Sequence, residues 1–155
     1  MTRSETITHL AAALAKAQAE MPVAVFDATN PFLKSKYASL GAVIQASRQI
    51  LAKHKLSLVQ FPISDATGIG VESILTHESG EFIAERISIP LTEEKGKTKV
   101  QCAGSTLTYL RRYSWASILG MYSDEDSDGS SPVQAFAPKT ATALPPPPLH
   151  KNSNN

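Results

Sequence analysis

Residues 69–90 read IGVESILTHESGEFIAERISIP, and this stretch decides the fold. From Glu81 to Pro90 the residues alternate, with Phe82, Ala84, Arg86 and Ser88 on one side and Ile83, Glu85, Ile87 and Ile89 on the other. A period of two marks a strand with two unlike faces. Ile69 to His77 alternates less cleanly but carries Val71, Ile74, Leu75 and Thr76, side chains that fit a pleated surface. Ser79-Gly80 stands between the runs and joins them as a β-hairpin.

Working outward, Leu56 to Ile63 reads as a third strand, with Leu56, Leu58, Phe61 and Ile63. After the hairpin, Leu91 to Lys99 is a polar, basic loop in which Lys95, Lys97 and Lys99 flank Gly96. Val100 to Gly120 then predicts a long helix with a core stripe of Ala103, Leu107, Leu110 and Ile118, widened by Leu119. Gly120 is its stop signal, and Gly104-Ser105 near its start leave room for another backbone to approach. Upstream, Ser39 is an N-cap for a helix to about His54, lined by Leu40, Val43, Ile44, Ser47 and Leu51. Glu5 to Glu20 forms a first helix on Leu10, Leu14 and Ala17, and Asp27 to Tyr37 is irregular. The order is helix, helix, three strands, helix. It predicts an α+β fold in which a three-stranded antiparallel sheet with its β-hairpin packs against the long third helix.

The chain has 155 residues and 42% apolar content, enough for one domain, placed at residues 1–128. Residues 129–155 are rich in Pro, Ser and Asn, with Pro145 to Pro148 in a row. That composition buries too little apolar surface to offset its ordering entropy, so a disordered C-terminal tail with a short polyproline II segment is expected. Cys102 is the single cysteine, which excludes an intrachain disulfide and fits a reducing cytoplasm. No apolar run approaches the roughly 18 residues a membrane span needs. The first residues, Met1-Thr2-Arg3-Ser4-Glu5, lack the order of a signal peptide.

Net charge is +1, but its distribution is uneven. Between Asp27 and Asp65 there is no acid, while Lys34, Lys36, Arg48, Lys53 and Lys55 fall there. Such a patch attracts phosphates, although charge alone favours a solvated helix face. Four acids cluster at Asp124, Glu125, Asp126 and Asp128.

Enzymatic signatures are missing. His9, His54, His77 and His150 are isolated, and no phosphate-binding glycine loop is present. Asp124 to Gly129 matches half of a calcium loop, but Ala135 stands where the bidentate Glu belongs. A two-metal nuclease needs carboxylates converging from separate elements, whereas these are neighbours in sequence, so a solvated acidic cap or electrostatic gate is the preferred reading. No catalytic residue, metal site or cofactor is assigned; whether Mg2+ modulates activity is left open.

Two clusters carry chemistry. Thr108-Tyr109-Leu110-Arg111-Arg112-Tyr113 sets two guanidinium groups between tyrosines, a pattern suited to phosphate bridging and base stacking. The tyrosines are equally readable as core; the arginines favour function. Asn30 to Tyr37 interleaves Lys34 and Lys36 with Phe32 and Tyr37 just before a helix N-terminus, whose N–H groups are able to receive phosphate oxygens. Aromatics inward and lysines outward satisfy both readings of this loop.

The stretch NPFLKSKYASLGAVIQASRQILAKHKLSLVQ (30–60) resembles the opening signature of the Erf family of phage single-strand annealing proteins. HESGEFI (77–83) resembles its hairpin, and QCAGSTLTYLRRYSWASILGMYSDEDSDG (101–129) its closing signature. Trp115 and Tyr122-Ser123 depart from the pattern without touching a basic position.

The resemblance implies the fold of the annealing-recombinase superfamily. It also implies a homo-oligomeric ring or filament and an ATP-independent pairing of complementary strands in the host cytoplasm. Arg111 and Arg112 would then hold the DNA backbone, supported by Lys34, Lys36, Tyr37, Lys97, Lys99 and Tyr113. The implied ligands are single-stranded DNA and the annealed duplex. The tail is either a recruiter of a partner, such as a host single-strand-binding protein or a phage exonuclease, or an inert linker. Two rival functions stand beside annealing: a passive strand-protecting module, and a metal-dependent nuclease using the acidic run.

Overall fold

A computed structural model describes residues 1–30, 35–66, 68–92 and 95–123. The chain divides into two units, Met1–Glu125 and Asp126–Asn155, and the second lies wholly outside the described residues. The expected tail and the acidic run Asp124 to Asp128 therefore fall outside them too.

The elements run β1 (Thr2–Arg3), α1 (Thr8–Glu20), β2 (Ala28–Thr29), β3 (Lys36–Tyr37), α2 (Leu40–Lys53), β4 (Leu56–Asp65), β5 (Gly68–His77), β6 (Phe82–Ile89) and α3 (Lys99–Leu119). The α+β class and the hairpin are as expected. The sheet differs from the expected three strands: it has four, ordered β1-β6-β5-β4 and all antiparallel. The fourth, β1, pairs Thr2 with Ala84 and Arg3 with Ile83. The segment read as irregular contains a second, two-stranded sheet, with Ala28 opposite Tyr37 and Thr29 opposite Lys36.

Register puts Leu58 opposite Leu75 and Leu75 opposite Ile83. These residues face the helices and join Leu10, Ala17, Val43, Leu51, Trp115, Ala116 and Leu119 in one core. Alternation turns Val59 and Phe61 to the other face, where both are exposed. Pro62 sits in β4, an edge strand, where its missing N–H costs no ladder bond.

The local signals explain the helix ends. Ser39 caps α2, its Oγ accepting from Ala42 N–H at 3.2 Å. Thr98 and Gln101 form a reciprocal capping box on α3, and Gly120 ends that helix in the left-handed region at φ 65°. Helix α1 has no side-chain cap from Ile7. Glu81 of the hairpin supplies one instead, accepting from Leu10 N–H at 2.7 Å and from the Thr6 hydroxyl at 3.0 Å.

Helix α3 buries Cys102, Leu110, Arg112, Trp115, Ala116 and Leu119. The expected stripe holds at Leu110 and Leu119, while Ala103, Leu107 and Ile118 are only half-buried. Trp115 takes the space against α2, donating its indole N–H to Ser47 Oγ at 3.0 Å. Ser47 in turn donates to the Val43 carbonyl at 3.0 Å, so neither buried polar group is orphaned. The expected close approach at Gly104 is absent, since a Cβ there would meet nothing within 4 Å. The close approach occurs at Gly70, where a Cβ would lie 2.3 Å from the Ile87 carbonyl oxygen.

Candidate nucleic-acid interface

Helix α3 turns about 100° per residue, so Arg111 and Arg112 leave it in different directions. Their surroundings differ accordingly. Arg111 is half-buried against β4, its Nε donating to Gln60 Oε1 at 3.3 Å. Gln60 is fixed in turn: its Nε2 lies 3.1 Å from Ser73 Oγ, 3.0 Å from the Arg111 carbonyl and 3.1 Å from Ser114 Oγ. With two N–H bonds to share among three acceptors, the amide is fully engaged. Among the described residues no carboxylate pairs with Arg111. Its terminal nitrogens suit a bidentate grip on a phosphate.

Arg112 is only 7% exposed. Its guanidinium lies 4.6 Å from the Tyr37 ring, 4.5 Å from Tyr113 and 5.7 Å from Tyr109. A flat, weakly hydrated cation tolerates burial when aromatic faces surround it. The cage joins α3 to β3, and Ala38 N–H extends the junction by donating to the Ser123 carbonyl at 2.9 Å.

The fold thus brings together Arg112, Tyr37 and Tyr113, with Lys36 exposed beside Tyr37 and Arg111 one residue away along α3. Lys97 and Lys99 do not join them. They are exposed at the start of α3, and Lys99 stands about 18 Å along the axis from Arg111. Lys99 there lines an open cleft of about 580 Å³ that also contains Asp65. Lys34 lies outside the described residues.

The structure adds two features to the charge pattern. Asp27 sits at the N-cap of α2, accepting from Ser39 N–H at 2.7 Å and Ser39 Oγ at 2.8 Å. Those bonds, the backbone one foremost, hold the Asp27 carboxyl below its ordinary value, and its negative charge repels a phosphate. The basic stretch is also partly neutralised, since Lys53 pairs with Glu20 at 2.6 Å and Lys55 with Glu78. Lys36 and Arg48 remain exposed within it.

Sequence reasoning missed Gln60, while Tyr109, read within the basic cluster, lies 5.7 Å from the Arg112 guanidinium. A signal for Gln60 existed: Leu56, Leu58 and Gln60 share one strand face, and a polar residue on the core side of an alternating strand needs partners. Among the described residues no group of three or more His, Cys, Asp or Glu is placed to hold a metal ion, and no helix is long and apolar enough to cross a membrane.

A family model described as the ERF superfamily matches residues 10–151, a span that contains all three signature motifs. No curated protein and no solved structure matches the chain.

Proposed function

The chain belongs to the ERF superfamily, and from that membership we propose that it binds single-stranded DNA and anneals complementary strands without ATP during phage recombination. The family match carries this reading. The geometry of α3 supports it, because Arg111 is held by Gln60 with no acid beside it among the described residues. Annealing requires a grip that ignores sequence, and phosphate contacts give one. It also requires base edges left free, which backbone contacts allow.

In this proposal the protein is a binding protein and not an enzyme. It works as a homo-oligomer in a ring or filament, where many weak sites hold one strand together. Val59 and Phe61, exposed on the sheet face turned away from the helices, support self-association. In such an assembly the distant Lys97 and Lys99 contact the strand at a different point from Arg111. The host cytoplasm is the proposed location, residues 1–128 the annealing domain and 129–155 a tail that is either a recruiter of a single-strand-binding protein or exonuclease, or an inert linker.

The test mixes two complementary labelled oligonucleotides with the protein, without ATP, and follows pairing by fluorescence. Pairing much faster than the spontaneous rate supports annealing. Binding without acceleration leaves a strand-protecting module, and strands shortened on adding magnesium point to cleavage by the acidic run.

A further inference from the structure

Arg112 is the one basic side chain that the fold buries among the described residues, and three tyrosines from two segments receive it. A group at 7% exposure is badly placed to meet a phosphate. It is well placed to hold rings. Tyr109 and Tyr113, one helical turn apart, have centroids 4.3 Å apart and planes tilted by 43°. Tyr113 is half-buried, while Tyr109 remains 51% exposed. A half-exposed ring held against a second ring and a cation has little freedom left to lose when a flat ligand settles on it.

We propose that the Tyr109 ring, backed by Tyr113 and Arg112, is a stacking site for an unpaired nucleobase; this rests on the DNA-binding reading above. Arg112 is its positioning residue, and the phosphate grip falls to Arg111. Tyr109 and Arg111 lie about 200° apart around α3, so a strand that meets both crosses the helix. Stacking engages the face of a base and leaves its Watson–Crick edge open, as pairing with a second strand requires. It is also indifferent to sequence, since every base has such a face.

The experiment measures affinity for an oligothymidylate and for an otherwise identical strand carrying abasic sites. It compares the full chain with Tyr109→Ala, Tyr109→Phe and Arg112→Lys, each shown by its melting profile to be folded at the assay temperature. Tyr109→Ala is expected to weaken oligothymidylate binding roughly fivefold or more, leaving abasic binding and the salt dependence as they were. Tyr109→Phe keeps wild-type behaviour. Arg112→Lys keeps the charge but loses the flat face, and is expected to show the same base-dependent loss as Tyr109→Ala. A folded Tyr109→Ala protein that binds both strands as wild type does, or loses both equally, overturns the stacking site alone. So does an Arg112→Lys protein that still prefers the strand with bases. Wild-type protein that binds neither strand overturns the DNA-binding reading and the stacking site with it.

Discussion

The guanidinium of Arg112 lies 4.6 Å from the centre of the Tyr37 ring, and this contact ties the long helix to a loop more than seventy residues earlier. The charge on one side and the ring on the other make it a cation–π pair shielded from water, worth about 1–2 kcal/mol. Tyr37→Phe keeps the ring face and is expected to unfold at nearly the wild-type urea concentration. Tyr37→Leu keeps apolar bulk without the face and is expected to be about 1–2 kcal/mol less stable than Tyr37→Phe. Equal stabilities for the two variants would show that only the volume of Tyr37 matters.

Arg111 and Gln60 have separable roles in binding. Removing a phosphate contact from a single strand flattens the dependence of log affinity on log salt by about 0.7. Arg111→Ala is expected to lose affinity with that change in slope. Gln60→Leu keeps the guanidinium but frees it from its 3.3 Å bond, so affinity is expected to fall several-fold with the slope little changed. A salt titration of both variants on one oligonucleotide checks the pair. An unchanged slope in Arg111→Ala places the phosphate contact on another residue.

The sequence made the hairpin legible because a period-two pattern and Ser79-Gly80 are local signals, and the three helices were legible from apolar spacing and caps. What stayed hidden was long-range. Strand β1 is two residues whose partners, Ala84 and Ile83, lie eighty positions on, and no pattern within two residues records that. Arg112 was expected to hold the DNA backbone because charge in a helix is ordinarily solvated, and only folding brings Tyr37 over it. Asp27 was invisible as an anion at the α2 cap for the same reason, being twelve residues from Ser39.

Glu81 makes stability depend on acidity. Burial pushes its carboxyl up, but the Leu10 N–H, the Thr6 hydroxyl and nearby His9 outweigh this and hold it below the ordinary glutamate value. A carboxylate with a depressed folded value contributes stability that is fully present above its unfolded value. That stability is lost as pH falls through the folded value. Melting temperature is therefore expected to drop on acidification through that window, and Glu81→Gln is expected to be less stable near neutrality with a flatter acid profile. The amide cannot supply two charged acceptors to the 71-residue-distant α1 terminus. Parallel acid profiles for the two proteins would move the acid sensitivity to another carboxylate.

Two glycines predict opposite responses to one methyl group. Gly70 faces Ser88 across β5 and β6, where a Cβ would sit 2.3 Å from the Ile87 carbonyl oxygen and 2.7 Å from Ser88 Cβ. Backbone cannot yield as a flexible side chain does, so Gly70→Ala must separate the two strands and is expected to cost about 1–3 kcal/mol or more. Gly104 lies within α3, exposed, with nothing within 4 Å of a built Cβ. There alanine only removes unfolded-state freedom and improves helix propensity, so Gly104→Ala is expected to gain about 0.5–1 kcal/mol. Urea unfolding of the two variants measures both signs at once. If Gly104→Ala is more stable yet binds single strands less well, the smooth helix surface at Gly104 serves the DNA and not the fold.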